Sequence, residues 1–163
     1  MTAVVGNKKV MTAARDSFIS STFWTERIGY VAAIETLKEM NRIKSWKILI
    51  KNGKYIVDGL RKLGKKYKLN LEVVGIESII NFNFSSKYNL YYKTYITQEM
   101  LKKGYLASNI IYVTIYHNRI TVKKYLQKLE PIFKNIENFE KNKNVKKFLD
   151  GPVCASSFGR LTN

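Results

Sequence analysis

Three hydroxyl-bearing residues, Ser20, Ser21 and Thr22, stand just before a predicted helix. Hydroxyl groups at such a place, together with the free amides of the first helical turn, form a site for a phosphate dianion. The reason is that the unpaired N–H groups point outward and the helix dipole favours negative charge. The same pattern also occurs where the hydroxyls only cap the helix. The segment therefore indicates either an anion site or a cap, with Thr22 and Ser21 as the candidate ligands.

Two further side chains could react but have no recognisable partner. His117 is either a general base or a strand-end residue whose ring bonds a nearby backbone group, and without a partner the second interpretation is favoured. Cys154 has hydroxyls nearby but no base, which predicts an unreactive thiol. One histidine and one cysteine do not suffice for a metal site of the usual kind, so none is expected.

The elements that position these residues follow from the spacing of apolar side chains. A helix is predicted from an N-cap at Thr25 to about Arg42, and a longer amphipathic helix from an N-cap at Ser45 to Gly64. Two antiparallel strands follow, within 69–73 and 78–84. A third helix is predicted over 90–103, closed by Gly104, and short strands are predicted at 105–107 and 111–116. A last long helix is capped by Asn118 or Thr121, and Pro131 should kink it or restart it. A short basic helix is predicted over 145–149.

This order of elements predicts an α+β fold, with a small, mostly antiparallel sheet and helices packed on one face. The chain of 163 residues is 45% hydrophobic, which suits one folded domain with a real core. No apolar run is long enough to cross a membrane and no secretory signal is visible, so a cytoplasmic protein is expected.

The net charge of +17 raises the possibility of nucleic-acid binding. Most of the cations are lysines, mixed along the whole length with Asn, Ile and Tyr, and these four residue types share A/T-rich codons. A biased genome would therefore produce such a surface without a polyanionic partner, and nucleic acid is not the expected partner. Several tyrosines could stack on bases, but their spacing favours packing in the core or at interfaces: Tyr91, Tyr92, Tyr95, Tyr112 and Tyr116.

Several segments, in order, resemble the class III pyridoxal-phosphate-dependent aminotransferases, and the branch of glutamate-1-semialdehyde aminomutase in particular. They are AVVG at residues 3–6 followed by KVM at 9–11, ISSTFWTERIG at 19–29, AAIETL at 32–37, TQEMLKKGYLA at 97–107 and GPV at 151–153. The resemblance covers essentially the whole chain. It is specific for the family and not for a substrate.

The resemblance implies an α/β fold, namely the C-terminal part of a fold type I transferase that uses pyridoxal 5'-phosphate. Residues 1–42 would be the end of the large cofactor domain and the start of the connecting helix, and 43–163 the small C-terminal domain. The family forms dimers, in which the threonine at the position of Thr22 bonds the cofactor phosphate of the neighbouring subunit. Ser21 would assist through its amide or hydroxyl.

The resemblance also implies a missing catalytic group. The family's lysine, which forms a Schiff base with the cofactor, would lie upstream of Ala3, and no lysine here stands in its context; Lys65 and Lys66 are interpreted as solvated. No catalytic residue is therefore assigned, and the isolated chain is expected not to transaminate. The complete protein would act on a small amino acid or amino-aldehyde as a homodimer. The alternatives are a basic polyanion-binding module and a non-catalytic remnant that dimerises with a full-length homologue.

Overall fold

The computed structural model describes residues 4–17 and 26–156. The chain divides into two compact units, and the division falls between Ser45 and Trp46. The interpretation of residues 1–42 as the end of a cofactor domain and 43–163 as a small domain stays a prediction.

The described part of the first unit is helical. It holds α1 (Lys8–Ala13), a 3-10 turn (Ala14–Asp16) and α2 (Arg27–Ile43). The predicted cap at Thr25 lies outside the described residues. The backbone of Glu26 is extended, with φ −68° and ψ 124°, so helical geometry begins only at Arg27 and the N-cap position falls on Glu26.

The second unit begins within α3 (Ser45–Lys66), and the predicted N-cap at Ser45 is wrong. Ser45 is the first helical residue, because the residue before it, Lys44, has the left-handed conformation that ends α2. The helix ends at Lys66, two residues after the predicted end at Gly64. A Cβ atom on Gly64 would lie 3.0 Å from the Cβ of Leu71, so this glycine allows the next strand to pack closely against α3.

Three antiparallel strands form a sheet in the order β1 (Leu71–Ile76), β2 (Ile79–Phe84) and β3 (Ile110–Tyr112). The predicted strand over 105–107 is wrong, because those residues form no ladder, and β3 is shorter than the predicted 111–116. The chain leaves the sheet after Tyr112 in a turn that side chains hold: Thr114 Oγ1 accepts from the Tyr116 N–H, and His117 Nδ1 accepts from the Thr114 N–H.

Two more helices complete the unit, α4 (Asn89–Leu101) and α5 (Arg119–Asn142), followed by a 3-10 helix at Val145–Phe148. Asn118 caps α5 as predicted, since its Oδ1 accepts from the amides of Ile120 and Thr121 at 3.0 Å each. Of the two alternatives predicted at Pro131, the restart is wrong, because α5 continues through this residue as one helix, and the kink stays a prediction.

The core lies on one face of the sheet, where alternate residues of β2 meet the helices. Ile80, Phe82 and Phe84 are all buried, and the ring of Phe133 from α5 packs on both phenylalanines with centroids 6.4 and 5.5 Å apart. Helices α3, α4 and α5 all contribute buried side chains to this cluster. The predicted α+β fold, a small antiparallel sheet with helices on one face, is therefore confirmed.

Candidate functional site

The candidate phosphate ligands, Thr22 and Ser21, lie outside the described residues, so their role stays a prediction. The structure does describe the helix that follows them. Glu26 makes no side-chain hydrogen bond to the first turn of α2, so that side chain leaves the amides of the turn open. The 17-residue helix α2 begins at Arg27, five residues after Thr22 in the sequence, and its N-terminus is the positive end of the helix dipole.

Within the second unit, the structure shows a pocket of about 280 Å³ that the sequence did not reveal. It lies where α3, the segment from 105 to 112 and α5 come together. Its lining is mostly aliphatic and aromatic, which suits an apolar group better than a charged one. The lining residues are Ile56, Tyr105, Leu106, Ala107, Ser108, Ile110, Ile111, Tyr112, His117, Thr121, Val122 and Tyr125.

The position of His117 at this pocket is fixed by the backbone around it. Asn52 on α3 is buried, and its Nδ2 donates to the Thr114 carbonyl oxygen at 3.2 Å, which ties the turn after β3 to α3. The Thr114 N–H in turn donates to His117 Nδ1 at 3.3 Å. Because Nδ1 accepts a hydrogen bond, the neutral ring carries its proton on Nε2. The interpretation of His117 as a residue that bonds a nearby backbone group is therefore confirmed.

Tyr125 forms the inner wall of the pocket and is not an acid–base group at neutral pH. Its ring meets that of Tyr105 edge to face, with centroids 5.7 Å apart. Burial raises the pKa of the Tyr125 hydroxyl to about 12, so the group keeps its proton over the physiological range. The pocket can bind an apolar group, but its lining residues offer no nucleophile paired with a base.

The pocket does not fit a phosphorylated cofactor. A phosphate dianion is held by charge-assisted hydrogen bonds or by several backbone amides at a helix end. No lysine or arginine lines this pocket. The described residues therefore offer no phosphate cradle here, and no catalytic step is derived through one.

The other sequence candidates have structural surroundings. The Cys154 N–H donates to Thr94 Oγ1 at 3.0 Å, which places this half-buried residue against α4, and no described contact activates its thiol. Lys65 and Lys66 lie on the surface as predicted, but Lys66 is not merely solvated, since its ammonium pairs with the Glu130 carboxylate. Across residues 4–17 and 26–156, no group of three His, Cys, Asp or Glu side chains could hold a metal ion.

The tyrosine prediction is confirmed in part. Tyr92 and Tyr95 are buried in the core, and Tyr91 is half-buried. Tyr112 and Tyr116 are 68% and 79% exposed, so they do not lie in the core, and their packing at an interface stays a prediction. Tyr112 is the last residue of β3, and Tyr116 lies in the turn that follows it.

An amide ladder on the sheet was also missed. Asn109 Nδ2 donates to the side-chain oxygens of Asn81 and Asn83, at 3.1 and 3.0 Å, and Asn89 Nδ2 donates to Asn83 Oδ1 at 3.4 Å. The signal was present in β2, where the asparagines alternate with Phe82 and Phe84 and must therefore lie on the face opposite the core. What the sequence could not show is that distant asparagines join them.

No helix in the described ranges combines the length and apolar character that a membrane crossing needs. No protein-family model matches the chain. An aminopentol aminotransferase of Sphingopyxis macrogoltabida is 28% identical over 118 residues, which are 72% of this chain and 26% of that protein. The chain thus spans about a quarter of the length of this curated relative.

A solved structure has the same fold over most of the chain. It is the FumI protein of Sphingopyxis sp. MTA144 in its PLP internal aldimine form. The TM-score is 0.72 at 22% identity, and the match covers 84% of this chain and 34% of FumI. The chain therefore matches the fold of about a third of the FumI chain, and its sequence is similar to about a quarter of the aminopentol aminotransferase.

Proposed function

We propose that this chain is the C-terminal part of a pyridoxal-phosphate-dependent aminotransferase or aminomutase of class III, close to glutamate-1-semialdehyde aminomutase. The complete protein would be a cytoplasmic homodimer that acts on a small amino acid or amino-aldehyde. When bound, pyridoxal phosphate supplies an electron sink for bonds at the carbon that carries the amino group.

The observation that carries the proposal is the agreement of two comparisons that differ in kind. The sequence relative is an aminotransferase by name, and the structural match is a protein solved with PLP. The TM-score of 0.72 extends over 84% of the chain, so the agreement concerns the whole arrangement of elements and not one motif. The order of the class III-like segments, from residues 3–11 to 151–153, supports the finer assignment.

The chain's own contribution to the cofactor is proposed at Thr22, assisted by Ser21. The support is physical: Thr22 precedes the N-terminus of α2 in the sequence, and the dipole at a helix N-terminus favours a phosphate. The lysine that attaches the cofactor would belong to the large part of the polypeptide that this chain does not span. We therefore expect no transamination from the 163-residue chain alone.

The test uses the longer polypeptide that contains this chain, loaded with pyridoxal phosphate. We expect an absorbance band at about 400 nm from the protein-bound cofactor. Thr22→Ala removes one bond to a charged phosphate, which weakens cofactor binding by about ten- to a hundredfold. The matched control is Thr36→Ala, because the Thr36 hydroxyl is exposed and bonds only the Ala32 carbonyl within α2.

The outcomes separate the function from the site. No cofactor band from the longer polypeptide would refute the proposed function. A band whose retention is the same in Thr22→Ala and Thr36→Ala would refute the assignment of Thr22 alone.

A second candidate, polyanion binding, has one specific observation in its favour, the net charge of +17. It predicts retention on a nucleic-acid column at low salt and a steep loss of binding as salt rises. Absence of retention at low salt would remove this candidate.

A further inference from the structure

After the last 3-10 helix the chain turns back and runs along α4. We call residues 148–154 the C-terminal strap. At its first end, Gln98 Nε2 donates to the Phe148 carbonyl oxygen at 3.0 Å, and Gln98 Oε1 accepts from the Asp150 N–H at 2.7 Å. The Lys102 ammonium also lies 2.8 Å from the Asp150 carboxylate. Because Gln98 binds two backbone groups of the strap, the loss of this one side chain releases both.

The other end of the strap is bonded further toward the N-terminus of α4. The Cys154 N–H donates to Thr94 Oγ1 at 3.0 Å, and Cys154 Sγ lies 3.8 Å from the Leu90 carbonyl oxygen. Leu90, Thr94, Gln98 and the C-cap residue Lys102 are spaced by four residues, so they form one row along α4. The strap therefore follows a single row of the helix.

The strap has little apolar anchoring. Val145, just before it, is fully buried, but none of residues 148–156 is buried. Phe148 packs on the ring of Phe139 with centroids 4.8 Å apart, yet it is 48% exposed. Between the two bonded ends, a Cβ atom on Gly151 would meet no described atom within 4 Å beyond its chain neighbours. Segments with so few buried contacts open at a lower free energy than the whole domain.

We infer that the C-terminal strap is a conformational device that opens by itself while the rest of the second unit stays folded, and that Gln98 is the side chain that keeps it closed. Opening would free the row on α4 that carries Thr94 and Gln98, and it would expose the Cys154 thiol. The contacts that hold the strap lie within the described chain. The strap would therefore open in the same way whatever reaction the complete protein catalyses.

The reaction rate of the native thiol measures this opening. Cys154 is the one cysteine of the sequence, and a covered thiol reacts only in the fraction of molecules in which its contact is open. The reagent is N-ethylmaleimide, which is neutral, so the net charge of +17 neither attracts nor repels it. The wild-type chain is compared with Gln98→Ala at one pH and one salt concentration. The matched control is Gln127→Ala, because Gln127 is an exposed glutamine of α5 that makes none of the hydrogen bonds to the strap.

Gln98→Ala should speed the reaction of Cys154 by about ten- to thirtyfold, because it removes two hydrogen bonds that exist only in the closed state. Gln127→Ala should leave the rate within about twofold of the wild type. Thr94→Val is the second variant, for use should Gln98→Ala not fold as judged by circular dichroism. It removes the acceptor of the Cys154 N–H and should raise the rate about fivefold, whereas Thr94→Ser, which keeps the hydroxyl, should react like the wild type.

The dependence of the rate on urea separates opening of the strap from unfolding of the whole unit. Local opening exposes little surface, so the rate should be nearly constant at low urea and should rise steeply only near the unfolding transition.

Three results would overturn the inference. One is an equal rate in Gln98→Ala and Gln127→Ala. Another is a wild-type rate that rises from the lowest urea concentrations with the slope of global unfolding, because Cys154 would then be exposed only when the whole unit unfolds. The third is a wild-type thiol that already reacts as fast as the thiol of the urea-unfolded chain, because the strap would then not be closed.

Discussion

Gly53 offers a test of the packing that holds the hairpin of β1 and β2 against α3. It lies in the middle of α3 and is buried. A glycine inside a helix normally costs stability, so Gly→Ala at such a position normally gains about 1 kcal/mol. Here we expect the opposite sign, because the backbone of Glu77, in the turn between β1 and β2, occupies the space of the missing side chain.

The distances set the magnitude. A Cβ atom on Gly53 would lie 2.0 Å from the carbonyl oxygen of Glu77 and 2.7 Å from its carbonyl carbon. Contacts below 3.0 Å are essentially never tolerated, so the hairpin must move by about 1 Å or more. A clash of 2.0 Å with a backbone atom falls in the upper part of the usual overpacking range, about 2–3 kcal/mol or more, which exceeds the gain of about 1 kcal/mol in helix propensity. We expect a net loss of about 1–2 kcal/mol, or a melting temperature lower by about 2–8 °C.

The assay is urea and thermal unfolding of the 163-residue chain, followed by far-ultraviolet circular dichroism. Gly104→Ala is the comparison, because Gly104 has φ 80° with no atom within 4 Å of its missing Cβ, so its cost of about 1 kcal/mol is conformational only. Adding Glu77→Gly should not fully rescue Gly53→Ala, since it removes the contact with the Glu77 Cβ at 2.7 Å but leaves the closer contact with the carbonyl oxygen at 2.0 Å. A Gly53→Ala variant as stable as the wild type would refute the close approach of the hairpin to α3.

Two further predictions concern the cap and the inner wall of the pocket. Asn118→Ala should lower the free energy of unfolding by about 1 kcal/mol in urea titrations, because two amides of α5 lose their acceptor. Asn118→Asp should keep most of the stability, because a carboxylate oxygen also accepts from these amides. Equal stability of the wild type and both variants would contradict the cap. The raised pKa of Tyr125 means that the folded state holds this proton more tightly than the unfolded chain does. Stability from this group is therefore full below pH 10 and is lost as pH rises from about 10 to about 12. Tyr125→Phe should flatten that part of the stability curve, and an unchanged alkaline slope would contradict the prediction.

Much of the fold could be predicted because its determinants are local. The alternation of Ile80, Phe82 and Phe84 with polar residues sets which face of β2 is buried, whatever its neighbours are. The side chain of Asn118 reaches the amides two and three residues later without help from the rest of the chain. Such features depend on a few neighbouring residues, so the periodicity of apolar residues and the chemistry of helix caps were sufficient to predict them.

The errors lie where a partner decides the structure. Tyr105-Leu106-Ala107 has the composition of a strand, but no strand pairs with it, and the side chain of Leu106 is 98% exposed. The pocket beside His117 is formed by Ile56 on α3 together with residues between 105 and 125, and the spacing of residues along the sequence does not show that these two parts meet.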